Sequence, residues 1–307
     1  MSVATGVAGA VTAARKRGPR RDRTSGLVEG WLRGHTLLVY VFLYVPIIIV
    51  VLFSFNATDR QVTNWQGFSL KWYARVLADR QIQNALFNSL VVASSTAIIS
   101  TLVGTMAALG LQRTPRWFRG PFAGLTFVSI IVPEIVIALA TLVYFSTSFD
   151  AIQSLTGVKF GLGYPTIILA HCLFNISLVC LLVQARLNGM DRTHVEASFD
   201  LYGTPWRTFW EITFPQLLPA IVAGFLLSFT FSFDDYIITT FVSANTTTLP
   251  LYVFSQIRKG VTPATNAVAA FMLLVTLSTL LIGQFLVNRN ARRKGSQAGM
   301  ASMVVER

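Results

Sequence analysis

Charge is scarce in this chain, and acidic residues are scarcer than basic ones. Only 12% of the 307 residues are charged and 53% are hydrophobic, with 13 Asp and Glu against 25 Lys and Arg. The apolar residues collect in long runs, which is the composition of a membrane protein. The longest predicted cytoplasmic connection between these runs, residues 184–216, is too short for an independent core. The sequence therefore excludes a separate soluble domain in the connections.

Cysteine is also rare, and its placement excludes a local disulfide. Cys172 and Cys180 lie in one apolar run, about 12 Å apart along a helix, which is too far to pair. Neither lies near a cluster of metal-binding residues, so we expect no metal site and no cofactor. A Gly-Lys pair is absent, which excludes the common phosphate-binding loop. Any ATP hydrolysis must therefore come from another chain, and this chain is not expected to be an enzyme.

Six apolar runs are long enough to cross a membrane, given that a helical span needs roughly 20 residues. They lie near residues 37–53, 86–111, 121–145, 164–183, 217–242 and 267–287. The predicted fold class is an all-α integral membrane protein with six transmembrane helices.

The basic residues predict the orientation of these spans. Eighteen of the 25 Lys and Arg residues fall in the two tails and in the second and fourth connections. Since Lys and Arg are retained on the cytoplasmic side, both termini are predicted to be cytoplasmic. The net charge of +12 then reflects contact with anionic membrane lipid. It does not indicate nucleic-acid binding.

Composition divides the chain into three parts. Residues 1–34 are small, basic and contain Gly and Pro, which predicts a disordered cytoplasmic tail. Residues 35–288 hold the six spans, and residues 289–307 form a second basic cytoplasmic tail.

The connection at residues 191–215 predicts two short helices joined by a turn. Thr193 with Glu196 forms a capping-box pattern at the start of the first helix. Gly203 is predicted to end that helix in a left-handed conformation. Thr204 then caps the second helix, and Pro215 is expected to end it. Periodicity alone is equally consistent with an ordinary surface hairpin.

The residues of this connection match a known pattern. "EASFDLYGTPWRTFWEITFP" resembles the Glu-Ala-Ala loop of binding-protein-dependent ABC importer permeases, which reads Glu-Ala-Ala, a Gly, and a later Ile-x-Leu-Pro. The matching residues are Glu196, Ala197, Ile212 and Pro215. Three positions depart from the pattern: Ser198 replaces its second Ala, Phe214 replaces its Leu, and Tyr202 replaces its Gly, with Gly203 one step later.

The resemblance assigns a role to the loop. In this family the loop docks into a groove of the cytoplasmic ATPase subunit and couples ATP hydrolysis to transport. The residues that would act in coupling are Glu196, Ala197, Ser198, Gly203, Ile212 and Pro215.

A second stretch narrows the resemblance. "LLSFTFSFDDYIITTFVS" followed by "TTLPLYVFSQIRKGVTPATNAVA" is similar to the spermidine/putrescine branch of these permeases. The similarity covers residues 35–288, with a core unit at about 84–287. It implies the type I ABC importer permease fold and a place in the bacterial cytoplasmic membrane. It also implies three partners: two copies of an ATPase, a second homologous permease and an extracytoplasmic substrate-binding protein.

Three acidic residues inside apolar runs require an explanation. Asp234 and Asp235 lie in the fifth run and Glu134 follows Pro133 in the third. An ionised carboxylate in the bilayer costs about 3 kcal/mol, so it needs polar surroundings. Neighbours on a helix diverge by ~100°, which predicts different roles for the two aspartates. Counting residues from the cytoplasmic side puts Glu134 and Asp234 within roughly 6 Å in depth, so they can share one cavity.

Aromatic residues around the aspartates suit a cationic substrate. Ring faces attract ammonium groups, and a linear polyamine carries several. The predicted substrate pathway comprises Asp234, Asp235, Glu134, Tyr236, Phe233 and Phe229. The alternative for either aspartate alone is a structural pairing with a neighbouring helix or with an Arg of a partner subunit.

Four other polar residues within the runs are expected to form hydrogen bonds between helices, with lining of the pathway as the alternative. They are Asn88, His171, Asn175 and Gln284.

Other functions remain in competition at this point. The same architecture can carry another organic cation or an amino-acid derivative. A secondary transporter would be expected to show inverted repeats, and none is seen. An intramembrane aspartyl protease also needs two aspartates, but adjacent ones diverge and no Gly-x-Gly-Asp occurs.

Overall fold

The structure, a computed structural model, describes residues 23–59 and 64–305. Within these ranges the chain is helical and forms no strand, with an isolated antiparallel bridge between Asn56 and Phe68. The helices are α1 (Arg23–Phe53), α2 (Lys71–Ala78), α3 (Arg80–Arg113), α4 (Arg116–Ile131), α5 (Glu134–Thr156), α6 (Tyr164–Asn188), α7 (Thr193–Asp200), α8 (Pro205–Thr208), α9 (Phe214–Asp234), α10 (Ile237–Val242), α11 (Leu249–Lys259) and α12 (Pro263–Val305). A π-helical turn, Phe209–Thr213, joins α8 to α9.

In the part of the chain that the structure describes, six helical segments are long and apolar enough to cross a membrane, which agrees with the predicted number of spans. They are Val28–Phe53, Arg80–Arg113, Glu134–Thr156, Tyr164–Asn188, Pro205–Asp234 and Pro263–Phe285. The chain divides into two compact units, residues 1–52 and residues 53–307. In its described part, the first unit is α1 up to Leu52, and the second contains all the other helices.

The predicted tails differ from the structure where they are described. Helix α1 begins at Arg23, so residues 23–34 are helical rather than disordered. Residues 1–22 of the predicted tail lie outside the described residues. At the other end α12 continues through the predicted basic tail as far as Val305.

The third span begins later than predicted, because the helix breaks before Glu134. Helix α4 ends at Ile131, and Val132 and Pro133 are extended. Proline lacks an amide hydrogen and disfavours helical geometry in the residue before it, so the continuous helix expected at 121–145 does not form. The break puts Glu134 in the first turn of α5, where the helix dipole favours a negative charge.

The fifth span also differs from the prediction at both ends. It starts at Pro205 and ends at Asp234. Asp235 is extended, with φ −65° and ψ 125°, and α10 starts at Ile237. The two aspartates therefore lie at a helix break and not within one continuous helix.

Helices α3, α6 and α9 pack closely against one another through small residues. A Cβ atom on Gly104 of α3 would lie 2.8 Å from the carbonyl oxygen of Ile176 in α6. One on Gly224 of α9 would lie 3.2 Å from a methyl group of Val179. Small residues let membrane helices approach each other in this way. This packing fixes the positions of α6 and α9, which carry most of the site described next.

Candidate functional site

A small cavity lies where α5 and α6 meet the break between α9 and α10. Its volume is about 20 Å³. It is lined by Glu134, His171, Phe174, Asn175, Phe231, Ser232, Asp235 and Ile238. Two of these residues are acidic, and none is Lys or Arg. The cavity therefore presents negative charge without a lysine or arginine counter-charge on its walls.

Asp235 is held in place by donors from two directions. Its Oδ1 accepts the amide of Thr239 at 2.9 Å and the hydroxyl of Thr239 at 3.1 Å. Nε2 of His171 lies 3.2 Å from the same oxygen, and the Asp235 side chain is 8% exposed. Since the amides in the first turn of a helix lack partners within it, the carboxylate completes the start of α10. The helix break and the orientation of Asp235 thus depend on each other.

His171 links α6 to both sides of the break. Its Nδ1 lies 2.8 Å from the hydroxyl of Ser232 in α9, and its Nε2 lies 3.1 Å from the hydroxyl of Thr239 in α10. These contacts confirm the predicted hydrogen bonding between helices. His171 also lines the cavity beside the acids, which was the alternative given for it. Its spacing of four from Asn175, on one face of α6, was the available signal.

Asp234 faces a different neighbour from Asp235. Its Oδ1 accepts the hydroxyl of Thr276 in α12 at 3.4 Å, and it does not line the cavity. The structure thus brings Glu134 together with Asp235 and not, as depth counting suggested, with Asp234. The break after Asp234 turns the second carboxylate towards α6.

The predicted aromatic residues lie outside the cavity. Phe229 and Phe233 stack with ring centroids 5.7 Å apart inside the hydrophobic core. Tyr236 packs on Phe254, with centroids 4.1 Å apart.

Two other aromatic residues line the cavity instead. Phe174 and Phe231 contact each other edge to face, with ring centroids 5.5 Å apart. Phe231 was not chosen as a pathway residue, although helical spacing places it on one face with Asp235.

The remaining polar predictions gave mixed outcomes. Asn88 donates to the carbonyl of Thr247 at 2.8 Å and accepts the hydroxyl of Tyr164, which confirms bonding between segments. The amide nitrogen of Asn175 bonds within its own helix, to the carbonyl of His171 at 2.9 Å. Gln284 is exposed on α12. For Asn175 the expected bond between helices is therefore wrong.

The loop at 191–215 forms the two predicted helices, but the start of the first one differs from the prediction. The amide and hydroxyl of Thr193 both donate to Asp191, at 2.9 and 2.6 Å. These two bonds hold the pKa of Asp191 below its ordinary value. Because the Thr193 hydroxyl bonds to Asp191, the capping box predicted with Glu196 does not form.

The turn between the two helices has its left-handed residue one position earlier than predicted. Tyr202, not Gly203, has a positive φ, at 61°. Gly203 is required for another reason, because a Cβ there would lie 2.4 Å from the hydroxyl of Ser198 and 2.7 Å from its carbonyl. The Ser198 hydroxyl also lies 2.8 Å from that of Thr208 and ties α7 to α8.

The second short helix continues directly into the fifth span. Thr204 accepts the amide of Arg207 at 3.4 Å, which confirms the predicted cap. Pro215 does not end the helix. It follows the π-helical turn, which contains Ile212, and lies in the first turn of α9, where its missing amide hydrogen is tolerated.

The loop leaves large apolar side chains exposed. Tyr202 is 97% exposed and Trp206 is 73% exposed, and Leu201 and Phe199 are exposed beside them. We name these four residues the loop patch. Glu196 and Ala197 are also exposed. A cavity of about 860 Å³ lies between the loop and the ends of α3 and α6, with Glu196 and Arg113 on its walls.

Comparisons with known proteins agree on one family. Residues 100–295 match the family described as binding-protein-dependent transport system inner membrane component. The putrescine transport system permease protein PotI of Escherichia coli (strain K12) is 40% identical over 240 residues, 77% of this chain and 83% of that protein. The spermidine/putrescine transport system permease protein PotC of Haemophilus influenzae is 37% identical over 256 residues, 82% of this chain and 95% of that protein.

A solved structure has the same fold. It is a chain of a bacterial ABC transporter involved in the import of the acidic polysaccharide alginate, with a TM-score of 0.72 and 13% identity. The alignment covers 87% of this chain and 96% of that one.

Proposed function

Because this chain belongs to the binding-protein-dependent transport system inner membrane component family, we propose that it is the permease subunit that carries polyamines, such as putrescine and spermidine, through the inner membrane. The ATP that drives transport is hydrolysed by a separate chain, and the permease alternates between inward-open and outward-open states.

The acidic cavity is the observation that carries the cargo assignment. Glu134 and Asp235 line one cavity without Lys or Arg. Glu134 is exposed on the chain surface, although apolar helices lie on both sides of it in sequence. A carboxylate facing hydrocarbon costs about 3 kcal/mol, so this surface requires water, a cation or a polar partner. A polyamine supplies positive charges, and the rings of Phe174 and Phe231 give it favourable faces.

We infer the partner subunits from the exposed loop patch and from the family to which the chain belongs. Exposed apolar side chains rimmed by polar residues mark interaction surfaces. The loop patch and Glu196 would dock on a cytoplasmic ATPase, with Ala197, Ser198 and Gly203 keeping the two short helices close together. Two copies of the ATPase, a second homologous permease and an extracytoplasmic binding protein would complete the importer. Closure of the ATPase dimer would move the loop and switch the helices.

Uptake of labelled putrescine and spermidine tests the proposal. Cells lacking this chain are compared with cells in which it is restored beside its genomic neighbours, in a strain without another polyamine importer. We expect uptake to be lost and then restored. Unchanged uptake would overturn the polyamine cargo, and the same cells would then be tested with other labelled organic cations and amino-acid derivatives.

A further inference from the structure

Asn175 lines the acidic cavity, and its side-chain oxygen is a buried acceptor without a hydrogen-bond partner among the described residues. The residue is 2% exposed and lines the cavity. Its amide nitrogen donates to the carbonyl of His171, but no donor in the described part of the chain reaches its Oδ1. The carbonyl of His171 can also accept the backbone amide one turn along, so this bond is not needed to build the helix. A buried acceptor without a partner is unfavourable, which indicates that a donor normally occupies the cavity.

Asp235 offers a second open acceptor to the same cavity. The two bonds from Thr239 and the contact with His171 all involve Oδ1. Among the described residues, none donates to Oδ2. The first oxygen therefore orients the carboxylate, and the second is free to bind a ligand. The carboxylate of Glu134, on α5, supplies a third acceptor to the same cavity.

The cavity is too small for a bulky cation. Its volume of about 20 Å³ matches a single water-sized group. A primary ammonium group is of that size and has three N–H donors, one for each acceptor. A fully methylated amine keeps at most one donor and is larger.

Building on the proposed polyamine transport, we propose that Glu134, Asn175 and Asp235 form a subsite for one primary ammonium end of the substrate. Asn175 supplies an uncharged acceptor and limits the size of the group that enters. It acts in selecting primary amines over N-methylated ones.

The test measures binding to the purified importer assembly in lipid nanodiscs, without the substrate-binding protein. The probe is labelled putrescine, and the competitor is putrescine dimethylated at both nitrogens, so that neither end is a primary amine. We expect the methylated amine to compete at least about tenfold more weakly, the scale on which tight pockets discriminate small groups.

Variants of Asn175 separate its acceptor from its size. Asn175→Leu keeps the bulk but loses the acceptor, and we expect putrescine affinity to fall about tenfold or more. Asn175→Ala enlarges the cavity and should reduce the difference in affinity between putrescine and methylated putrescine. Asn175→Asp keeps both size and acceptor, so it should retain putrescine binding, whereas a purely structural amide would not tolerate a third carboxylate in the cavity. Asn188→Leu, on the exposed end of the same helix, is the matched control.

The outcomes distinguish the subsite from the function. If the assembly transports putrescine but Asn175→Leu binds it as tightly as the wild type, the subsite is wrong. The subsite is also wrong if methylated putrescine competes as strongly as unlabelled putrescine. The same conclusion holds if the assembly transports putrescine but does not bind it in this assay. An importer that transports neither putrescine nor spermidine contradicts the proposed function instead.

Discussion

At the scale of residues, Asp234 and Asp235 are chemically identical neighbours in different surroundings. Asp235 lines the acidic cavity with Glu134, whereas Asp234 accepts a bond from Thr276 of α12. The difference arises from the break after Asp234, which turns the following side chain towards α6.

This difference predicts unequal effects of neutralising the two acids. Asp235→Asn should lower polyamine uptake by about tenfold or more, because a charge-assisted bond to the substrate is lost. Asp234→Asn should change uptake by less than about twofold. Uptake is measured at matched levels of the permease in the membrane. Equal losses in the two variants would contradict the cavity as the substrate pathway.

The residues of the site were only partly predictable from the sequence. The three acids could be identified because a charged residue inside an apolar run is rare, since burying its charge in the bilayer is unfavourable. Phe229 and Phe233 were chosen as aromatic faces for an ammonium group, although Phe231 lies one turn before Asp235. Only the packing of α9 against its neighbours, which for Phe229 and Phe233 include α3, α11 and α12, determines which of these rings lie in the core.

At the scale of elements, close packing of the helices depends on glycine at defined positions. Gly104→Ala would put a Cβ 2.8 Å from the carbonyl oxygen of Ile176 and 2.9 Å from the Cβ of Val179. We expect a loss of about 1–3 kcal/mol in the free energy of unfolding, because α3 and α6 must separate. Thermal unfolding in detergent measures it.

Gly110 on the same helix is the matched control. A Cβ there meets nothing within 4 Å. Gly110→Ala should therefore leave stability unchanged or raise it by up to about 1 kcal/mol through helix propensity. If Gly110→Ala lowers the free energy of unfolding as much as Gly104→Ala does, the loss comes from replacing any glycine of α3, and the close contact at Gly104 is not its cause.

The loop between the spans gives a second prediction at this scale. Gly203→Ala would force α7 and α8 apart, since its Cβ would lie 2.4 Å from the hydroxyl of Ser198. We expect weaker co-purification of the ATPase, as for the charge reversal Glu196→Lys. Gly189→Ala, where the nearest atom would lie at an ordinary 3.6 Å, should behave like the wild type. Undiminished ATPase binding by both Gly203→Ala and Glu196→Lys would show that the loop is not the docking element.

Local sequence signals predicted the elements better than their ends. The apolar runs predicted the six spans, and Thr204 predicted the start of α8. The breaks before Glu134 and after Asp234 were not foreseen as breaks. Pro133 was expected to lie within a continuous helix at 121–145, and the second break depends on the bonds of Asp235 to Thr239 and His171, which are made only in the folded chain.

At the scale of the whole molecule, the orientation in the membrane remains a prediction from charge. With both termini cytoplasmic, Lys159 between α5 and α6 lies outside and Asp200 in the loop lies inside. A membrane-impermeant maleimide should label Lys159→Cys in intact cells and Asp200→Cys only in inverted vesicles. Background labelling should be low because Cys172 and Cys180 are buried. The reverse pattern would invert the predicted topology.

The fifth span has a mechanical consequence. Helical structure runs unbroken for 30 residues from Pro205, beside the loop patch, to Asp234, beside the acidic cavity. A rod of this length spans about 45 Å at ~1.5 Å per residue, and tilting it by about 5° at one end swings the other by about 4 Å. Acting as a lever arm, the rod would carry a displacement of the loop to Phe231 and Ser232 on the cavity wall, while the joint after Asp234 would leave Asp235, which is bonded to α10, out of the swing.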